Sequence, residues 1–288
     1  MKSVISVDLG ATNLRVGVVN EDLSLGVVLR EPSTKNNPDA LYNQIKRMII
    51  EVLKTTANDI KYVGISACGI VKDNVIEILA NLGIGRFDLK SLIEKDFQNL
   101  SVEIANDANA AGYMESLHGS AANVRTSYFI TISSGIGGVL IYDNKMVDLP
   151  FEIGHNFINY KNKFYELEKL CSGNGIVNLA KLNGLEVKKA GDLFSLKVNG
   201  DKKASKVYDL WLQYISSAIA NIQLNYNPDV IVLSGGVMKS ATIFQDDLLA
   251  VANAFIAPFP VKKIKFVQAK FDQDAGLMGG ASLALKHL

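Results

Sequence analysis

The segment Val4-Ile5-Ser6-Val7-Asp8-Leu9-Gly10-Ala11-Thr12-Asn13 decides the fold. Residues 4–8 form an apolar run typical of a buried strand, and a glycine then interrupts the run. The apolar pattern resumes at residues 14–19, which predicts a β-hairpin with residues 10–13 as its turn. The chain therefore opens with two antiparallel strands joined by a loop that contains glycine, threonine and asparagine.

The same pattern returns in the second half of the chain. Residues 127–132 are strand-like, Ser133-Ser134-Gly135-Ile136-Gly137-Gly138 predicts a tight turn, and residues 139–142 predict the returning strand. Two such hairpins, each followed by strands that alternate with helices, predict two related α/β halves. The other predicted elements are strands at 26–30, 62–66, 102–105 and 230–233, and helices at 40–54, 204–226 and 275–288.

We expect two domains that touch, with a cleft between them. The boundary is predicted where the strand at 102–105 runs into a helix, giving an N-terminal domain of residues 1–106 and a larger C-terminal domain of residues 107–288. The terminal segment, residues 275–288, is rich in glycine and alanine, which predicts a closely packed helix. We expect this helix to pack back on the N-terminal domain.

Composition excludes several classes of protein. The 288 residues are 48% hydrophobic and 20% charged, which suits a globular protein with a large interior. The net charge is +1 and no dense run of Lys and Arg occurs, so nucleic acid is not an expected partner. No signal-like N-terminus and no membrane-length apolar run is present. Cys68 and Cys171 are predicted to be reduced thiols in a cytoplasmic protein.

Three glycine-containing loops carry the chemistry of phosphate binding. In the first, Gly10 lets the main chain approach a ligand, Thr12 offers a hydroxyl donor, and Asp8 can hold Mg²⁺ through water. The second, residues 133–138, offers the same physics, and the third, Ser234-Gly235-Gly236-Val237, can pack against a flat ring such as adenine. Taken alone, the first loop is more readily an ordinary hairpin turn, because D-x-G is a frequent triplet, and the third is about equally consistent with a routine strand-to-helix turn.

Two common nucleotide motifs are absent from these loops. After Gly135 and Gly137, Leu140 stands where the third glycine of a Rossmann fingerprint is needed. No glycine directly precedes Lys239, so Gly236-Val-Met-Lys239-Ser240 is not a Walker loop. The sequence therefore argues against a dinucleotide oxidoreductase and against a P-loop ATPase.

Polar residues that could serve a sugar substrate follow in two further segments. In Asn106-Asp107-Ala108-Asn109 a strand meets a helix, so Asp107 is either a helix cap or a base that accepts the proton of an attacking hydroxyl. In Glu152-Ile-Gly-His155, acid and imidazole groups suit hydrogen bonding to several hydroxyls. His155 could equally be a core residue, and no nearby cysteine cluster completes a metal site.

Taken in order, these segments resemble the ROK family (repressors, open reading frames and kinases) of the actin-like ATPase superfamily, over nearly the whole chain. Residues 8–13 are similar to the family's D-[LI]-G-G-T motif, and Asn106-Asp107-Ala108-Asn109 matches N-D-A-N. Residues 134–138 resemble T-G-I-G-G, and residues 152–155 match E-x-G-H. The resemblance implies an α/β fold of two actin-like ATPase (ribonuclease H-like) domains that flank a cleft.

The chain departs from the family pattern in two places. Residues 67–71, Ala-Cys-Gly-Ile-Val, stand where the family has a P-G-P-V loop, so the loop near Gly69 is expected to differ in shape. Residues 156–169 contain no cysteine, whereas the family usually has a cysteine-rich zinc motif there. Zinc should therefore be absent and His155 free to bind sugar. Residues 167–173 still resemble L-E-x-x-x-S-G, which makes Glu168 the candidate sugar-contacting glutamate.

The resemblance implies an ATP-dependent sugar kinase that phosphorylates the 6-hydroxyl of a hexose, with glucose as the first acceptor and N-acetylmannosamine or N-acetylglucosamine as alternatives. It implies Asp107 as the catalytic base, Mg²⁺ as cofactor and a homodimer. The implied sugar-binding residues are Asn81, Asn106, Glu152, His155 and Glu168, and the implied ATP-binding residues are Asp8, Gly10, Ala11, Thr12, Asn13, Ser134, Gly135, Gly137, Gly138, Gly235 and Gly236.

Three rival functions belong to other classes. A ROK transcriptional repressor needs a helix-turn-helix domain ahead of the first strand, and here that strand begins at Val4. An actin-like ATPase without a sugar site is disfavoured by Asn106-Asp107 together with Glu152 and His155. A sugar-binding protein without activity is disfavoured by the presence of Asp107.

Overall fold

The computed structural model describes residues 2–147, 149 and 151–288. They form alternating strands and helices, with short 3₁₀ turns at Ala80–Leu82, Ile153–His155, Gly236–Ser240 and Asp272–Asp274. In chain order the elements are β1 (Ser3–Leu9), β2 (Asn13–Asn20), β3 (Leu25–Pro32), α1 (Pro38–Leu53), β4 (Tyr62–Ala67), β5 (Ile70–Lys72), β6 (Val75–Ile78), α2 (Leu89–Asp96), β7 (Ser101–Asn106), α3 (Asp107–His118), β8 (Thr126–Ile132), β9 (Ile136–Tyr142), β10 (Lys145–Met146), β11 (Phe157–Tyr160), β12 (Lys163–Glu166), α4 (Glu168–Cys171), α5 (Gly173–Leu182), α6 (Ala190–Val198), α7 (Lys202–Tyr226), β13 (Val230–Ser234), α8 (Ala241–Ile256), β14 (Phe266–Gln268) and α9 (Ala275–Leu285).

The chain divides into two compact units. The N-terminal unit comprises Met1–Leu117 together with Gln273–Leu288, and the C-terminal unit comprises His118–Asp272. The N-terminal unit therefore continues through α3, beyond the 106/107 boundary expected from the sequence. The reason is packing: α9 lies so close to α3 that a Cβ at Gly279 would meet the main chain of Ala110 at 2.8 Å.

The N-terminal unit is built on a five-stranded sheet of order β3-β2-β1-β4-β7. β1 pairs with β2 as an antiparallel hairpin and with β4 in parallel, and β4 pairs in parallel with β7. Nearly all of β1 is buried, as expected of a strand covered on both faces. On one face, α9 approaches β4 so closely that a Cβ at Gly64 would overlap the main chain of Gly280.

The C-terminal unit repeats this arrangement with the sheet order β10-β9-β8-β13-β14. Again a hairpin, β8 and β9, is followed by two parallel neighbours, and β13 is completely buried. Its core contains an aromatic cluster in which the rings of Phe194 and Phe244 lie 5.1 Å and 5.0 Å from that of Trp211. Two related α/β halves, as predicted, are therefore present.

The long helix α7 shows how local sequence sets the element boundaries. Asp201 accepts a hydrogen bond from the Ala204 N–H at 2.8 Å and caps the first turn. Asn227 ends the helix in the left-handed conformation, and Pro228 follows. None of the helices in the described part of the chain combines the length and apolar character that crossing a membrane requires.

Candidate active site

The N-terminal unit gathers polar groups at one edge of its sheet. Asp8 of β1 is in register with Ser66 of β4, and Ala67 is in register with Asn106 of β7. Because the three strands are parallel, the segments that follow them begin at the same edge, where ligands bind in open α/β sheets. This register brings together Asp8, the loop at 10–13 and the Asn106-Asp107 pair.

Asn106 caps helix α3. Its Oδ1 accepts the Ala108 N–H at 2.9 Å, and its side-chain amide donates to the carbonyl of Gly69 at 2.9 Å. The Ala108 N–H also donates to Oδ1 of Asp107 at 2.8 Å. The cap that the sequence offered as an alternative role for Asp107 is therefore provided mainly by Asn106. Asp107 remains exposed to solvent.

The surroundings of Asp107 suit a proton acceptor. Desolvation by the surrounding protein raises the pKa of Asp107 to about 6, the Ala108 N–H lowers it, and the negative charge of Asp8 raises it again. The side chain is nevertheless exposed, so water can reach the carboxylate from one side while protein surrounds it on the others. A carboxylate with a pKa near 6 is ionised at neutral pH and basic enough to accept a proton.

Asp8 is held by an arginine that the sequence argument did not include. Arg15 donates from Nε to Asp8 at 2.8 Å and from a terminal nitrogen to Asp274 at 3.0 Å. Burial raises the pKa of the Asp8 carboxyl, and Arg15 lowers it. A Cβ at Gly276 would overlap this carboxylate, so α9 also confines it. The hairpin register could have revealed the pair, because Arg15 lies directly opposite Asp8.

The first loop is a turn that is held by hydrogen bonds from Ser33, a residue outside the loop. The Gly10 N–H donates to the carbonyl of Asn13 at 3.0 Å. Ser33 donates through its hydroxyl to Gly10 O at 2.7 Å and through its N–H to Thr12 O at 3.1 Å. Ala11 is half-buried, Thr12 is exposed, and Arg30 donates to Asn13 Oδ1 at 3.2 Å. Ser33 is a supporting residue that no local motif identified.

Two further residues of this unit were singled out by the sequence. Cys68 follows β4, and its N–H donates to Leu9 O at 2.9 Å. Burial, and then the charges of Asp107 and Asp8, raise the pKa of the Cys68 thiol to about 12, so its environment includes both acids. Asn81 lies exposed in the 3₁₀ turn Ala80–Leu82. Both cysteines of the chain are free thiols.

The second loop is shorter than the sequence suggested. β9 already begins at Ile136, so Gly137 and Gly138 are strand residues that pair with Thr131 and Ile130. The prediction of a turn over residues 133–138 was wrong for its second half. The physical reason is a neighbouring aromatic ring: a Cβ at Gly138 would meet the Tyr128 ring at 2.8 Å, so this glycine provides space within the sheet.

The remaining turn, residues 133–135, accepts hydrogen bonds from the start of α5. The Gly173 N–H donates to Ser133 O at 2.6 Å, and the Ser172 hydroxyl donates to Ser134 O at 2.9 Å. A Cβ at Gly135 would lie 2.8 Å from Oε2 of Glu168. The turn therefore leaves little space beside Gly135, and it brings Glu168 against the predicted phosphate loop.

The third loop adjoins the second, because β13 pairs with β8. Gly235 has φ of +99°, and a Cβ there would meet the main chain of Ile132 at 2.5 Å. Asp272 accepts from the Ser234 hydroxyl at 2.7 Å and from the Gly235 N–H at 3.0 Å. No atom lies within 4 Å of a Cβ built at Gly236, so the main chain is open there to a ligand.

The predicted sugar-binding residues of this unit lie around Gly154. A Cβ at Gly154 would overlap the Ile136 carbonyl. The turn Ile153–His155 therefore packs closely against β9. His155 Nδ1 lies 3.3 Å from Glu166, and Glu152 is exposed. His155 and Glu168 are therefore both close to the second loop. The hairpin β11–β12, which supplies Glu166, was not predicted from the sequence.

His155, Glu166 and Glu168 offer ligand atoms within 4.8 Å of one another, as a metal site would. Lys169 already supplies a positive charge to the cluster, with Nζ 3.0 Å from Glu168 and 3.8 Å from Glu166. An ammonium group there competes with a cation, so the predicted absence of zinc remains our prediction. Elemental analysis of the purified protein should find less than one zinc per chain, and stoichiometric zinc would contradict it.

Comparison with known proteins supplies the family. The ROK family profile matches residues 4–287. N-acetylmannosamine kinase of Citrobacter koseri is 28% identical over 98% of both chains. Two solved structures share the fold. The ROK hexokinase of Thermus thermophilus has a TM-score of 0.87 and 23% identity, covering 99% of this chain and 98% of that one. A ROK glucokinase of Streptomyces griseus in complex with glucose and AMPPNP has a TM-score of 0.76 and 22% identity, covering 99% of both.

The predicted actin-like ATPase fold is confirmed by these structural neighbours, each of which covers 99% of this chain. The family profile extends over both compact units, from the first strand to the end of α9. The resemblance inferred from the ordered motifs is confirmed as well, and the chain belongs to the ROK family.

Proposed function

We propose that the protein is an ATP-dependent sugar kinase that transfers the γ-phosphate of ATP to the 6-hydroxyl of a hexose. The observation that carries this proposal is the state of Asp107, an exposed carboxylate with its pKa raised to about 6, at the end of the parallel strands β1, β4 and β7. Membership of the ROK family and a glucokinase relative in complex with glucose and AMPPNP support the reaction class.

In the proposed reaction Asp107 accepts the proton of the 6-hydroxyl as its oxygen bonds to the γ-phosphorus, and the bond to the leaving ADP oxygen breaks. Phosphoryl transfer requires mainly positioning and charge stabilisation, so one carboxylate base can suffice. We propose Asn81, Asn106, Glu152, His155 and Glu168 as sugar-binding groups. The Asn106 amide donates to Gly69 O, and its side-chain hydrogen bond lowers the pKa of Asp107, so Asn106 also orients the proposed base.

We assign ATP to the three loops. The open main chain at Gly236 fits a ligand that packs against the backbone, and the exposed Thr12 hydroxyl fits a phosphate oxygen. Mg²⁺ would be held by Asp8 through water, and it would neutralise charge that develops on the phosphates. Asp8 suits this role, because Arg15 occupies only one of its oxygens and a carboxylate is the ligand type that Mg²⁺ prefers.

Glucose is the acceptor we propose first, and N-acetylmannosamine is the second candidate. The second is favoured by the 28% identity to an N-acetylmannosamine kinase over 98% of the chain. The two sugars differ at C2, so their discrimination depends on groups beyond those that contact the 6-hydroxyl. We also propose a cytoplasmic homodimer, which light scattering on the purified protein would test.

The deciding experiment is a coupled assay of ADP release with ATP, Mg²⁺ and a panel of glucose, mannose, fructose, N-acetylmannosamine and N-acetylglucosamine. We expect ADP release that depends on one of these sugars and is absent without sugar. Hydrolysis of ATP at the same rate with and without sugar would instead indicate an actin-like ATPase. Sugar binding without any turnover would indicate an inactive binding protein.

A further inference from the structure

A pocket of about 150 Å³ lies within the C-terminal unit, beside the turn that follows Glu152. Its aromatic wall consists of Tyr128, Phe151 and Tyr226. The Tyr128 and Tyr226 rings are stacked at 5.8 Å, and Phe151 meets both edge-on at 6.2 Å and 5.4 Å. Neither His155 nor Glu168 is among the described residues that line the pocket, so it is separate from the cluster these two form with Glu166.

One hydroxyl on this wall is available to a ligand. Tyr128 is only 1% exposed as a residue, and its hydroxyl makes no hydrogen bond to any described residue. Among the described residues, the fully buried side-chain polar atoms without a partner are Ser66 Oγ and Ser216 Oγ, so the Tyr128 hydroxyl is not sealed inside the protein. Burial, and then the nearby Tyr226 and Glu152, raise the pKa of Tyr128, so the phenol keeps its proton and can donate to a molecule in the pocket.

The rest of the lining selects the chemistry of that ligand. Asn156 and Asn221 carry amides that both donate and accept, and Glu152 accepts. None of the described residues that line the pocket is a lysine, arginine or histidine, so a phosphate group would meet the Glu152 carboxylate without a compensating cation. Aromatic faces with a few convergent amides suit a neutral ring that bears several hydroxyls.

The size of the pocket fits one ring. A cavity of about 150 Å³ in another protein holds benzene, so this pocket can hold a single six-membered ring. We propose that it is a second binding site for a neutral pyranose sugar, distinct from the site of phosphoryl transfer. Glu152, which we assign to the acceptor sugar, also lines this pocket and therefore lies between the two sites.

The ring could be part of the acceptor or a separate molecule. In the first case the acceptor is a disaccharide whose second ring enters the pocket, and in the second case a free monosaccharide binds as an additional equivalent. Both cases use the same chemistry and the same lining residues. Neither depends on phosphoryl transfer, so binding can be measured without ATP.

The test compares two phenylalanine substitutions on α7. Asn221 is exposed and lines the pocket, so Asn221→Phe should fill it without disturbing the core. Gln213 is exposed on the same helix and does not line the pocket, so Gln213→Phe is the matched control. Isothermal titration calorimetry without nucleotide would use glucose, N-acetylmannosamine, sucrose and glucose 6-phosphate as probes.

We expect Asn221→Phe to weaken binding of at least one neutral sugar by about tenfold or more, a loss of roughly 1.4 kcal/mol, while Gln213→Phe binds like the wild type. Tyr128→Phe, which removes only the hydroxyl, should weaken the same sugar about fivefold. An effect confined to sucrose would indicate a disaccharide acceptor, and the loss of a second equivalent of monosaccharide would indicate a separate ligand.

Two results would overturn the proposal. One is unchanged binding of every neutral probe by folded Asn221→Phe and Tyr128→Phe. The other is tighter binding of glucose 6-phosphate than of glucose in this pocket, because it would contradict the argument from charge. Sugar-dependent ADP release by Asn221→Phe would show that the kinase reaction is a separate property, so failure of this proposal and failure of the proposed function can be told apart.

Discussion

The two units have the same sheet topology, but the corresponding strand ends of the two sheets carry different chemical groups. In the N-terminal unit Asp8 lies near the end of β1 and Asp107 follows β7, and the negative charge of Asp8 raises the pKa of Asp107. In the C-terminal unit the ends of β8 and β13 lead into Ser133–Ser134–Gly135 and Gly235–Gly236. The first edge offers side-chain charge, whereas the second offers hydroxyls and accessible main chain.

This difference suggests a division of roles between the units. A proton acceptor must be a side chain with a suitable pKa, so it requires one residue in one environment. A polyanion can be held by N–H groups, so it requires a backbone that a ligand can approach. Substitution of Asp107 should therefore affect the chemical step, and substitution of Gly235 or Gly236 should affect folding or nucleotide binding.

The strongest test of this division is Asp107→Asn. The amide keeps the size of the side chain and can still accept from the Ala108 N–H, but it cannot take a proton. We expect kcat to fall by about 10²–10⁴-fold, the usual contribution of a general base, while the affinity for sugar changes little. Steady-state kinetics with calorimetric sugar binding would measure both quantities.

The matched control is Asp59→Asn, which removes an exposed carboxylate that precedes β4 and so lies at the opposite end of this strand from Ser66 and Ala67. This variant should retain full activity. Wild-type turnover by Asp107→Asn would contradict the assignment of the base and would remove the chemical distinction between the units.

Local sequence predicted the first unit well, because its chemistry lies next to its strands. Asp8 ends an apolar run, and Asp107 follows another, so the parallel pairing of β1, β4 and β7 brings them to one edge. Most of its strands and helices followed from apolar periodicity, but β5, β6 and α2 were not predicted, and α9 ends at Leu285 rather than Leu288. Predicting the ion pair between Arg15 and Asp8 would also have required the register of the β1–β2 hairpin.

The second unit was less predictable, because its site depends on contacts between segments distant in sequence. Gly138 was predicted to lie in a turn, but it is a strand residue with the ring of Tyr128 beside it. Its role in phosphate binding stays a prediction. Asp272 supports Gly235 from 37 residues away. No local pattern identifies such partners, since Tyr128 reaches Gly138 only when β8 pairs with β9, and Asp272 follows β14, which pairs with β13.

A pair of neighbouring glycines in the second unit separates folding from binding. In Gly235→Ala the new methyl group would meet the Ile132 main chain at a positive φ, so the free energy of unfolding should fall by about 1–3 kcal/mol. In Gly236→Ala the methyl group meets no protein atom, so stability should stay within about 0.5 kcal/mol of the wild type.

If the main chain at Gly236 approaches the nucleotide, the added methyl group should raise the KM for ATP while kcat changes little. Urea unfolding and ATP titrations would measure the two effects. An unchanged KM for ATP in Gly236→Ala would indicate that nucleotide does not contact this loop. An unchanged stability of Gly235→Ala would contradict the close packing on β8.

The pH dependence of catalysis tests the role of Asp107 without any substitution. The pKa of Asp107 is raised to about 6, so the carboxylate is ionised above this value and protonated below it. Since only the ionised form accepts a proton, kcat/KM should fall about tenfold per pH unit below pH 6 and level off above it. A profile that stays flat between about pH 5 and 8 would contradict this role.

The smallest expected effect concerns stability and does not require any activity. The pKa of Asp107 in the folded protein lies above the ordinary value of 3.8, so ionisation opposes folding as the pH rises through about 6. Asp107→Asn cannot ionise, and it should therefore melt at a slightly higher temperature than the wild type at neutral pH. The difference should vanish as the pH approaches 3.8, where the wild-type carboxyl is protonated in the folded state. The effect should be small, because the exposed carboxylate keeps part of its hydration. A variant that is less stable than the wild type at neutral pH would show that the negative charge of Asp107 stabilises the N-terminus of α3, and the contrast between the two sheet edges would lose its physical basis.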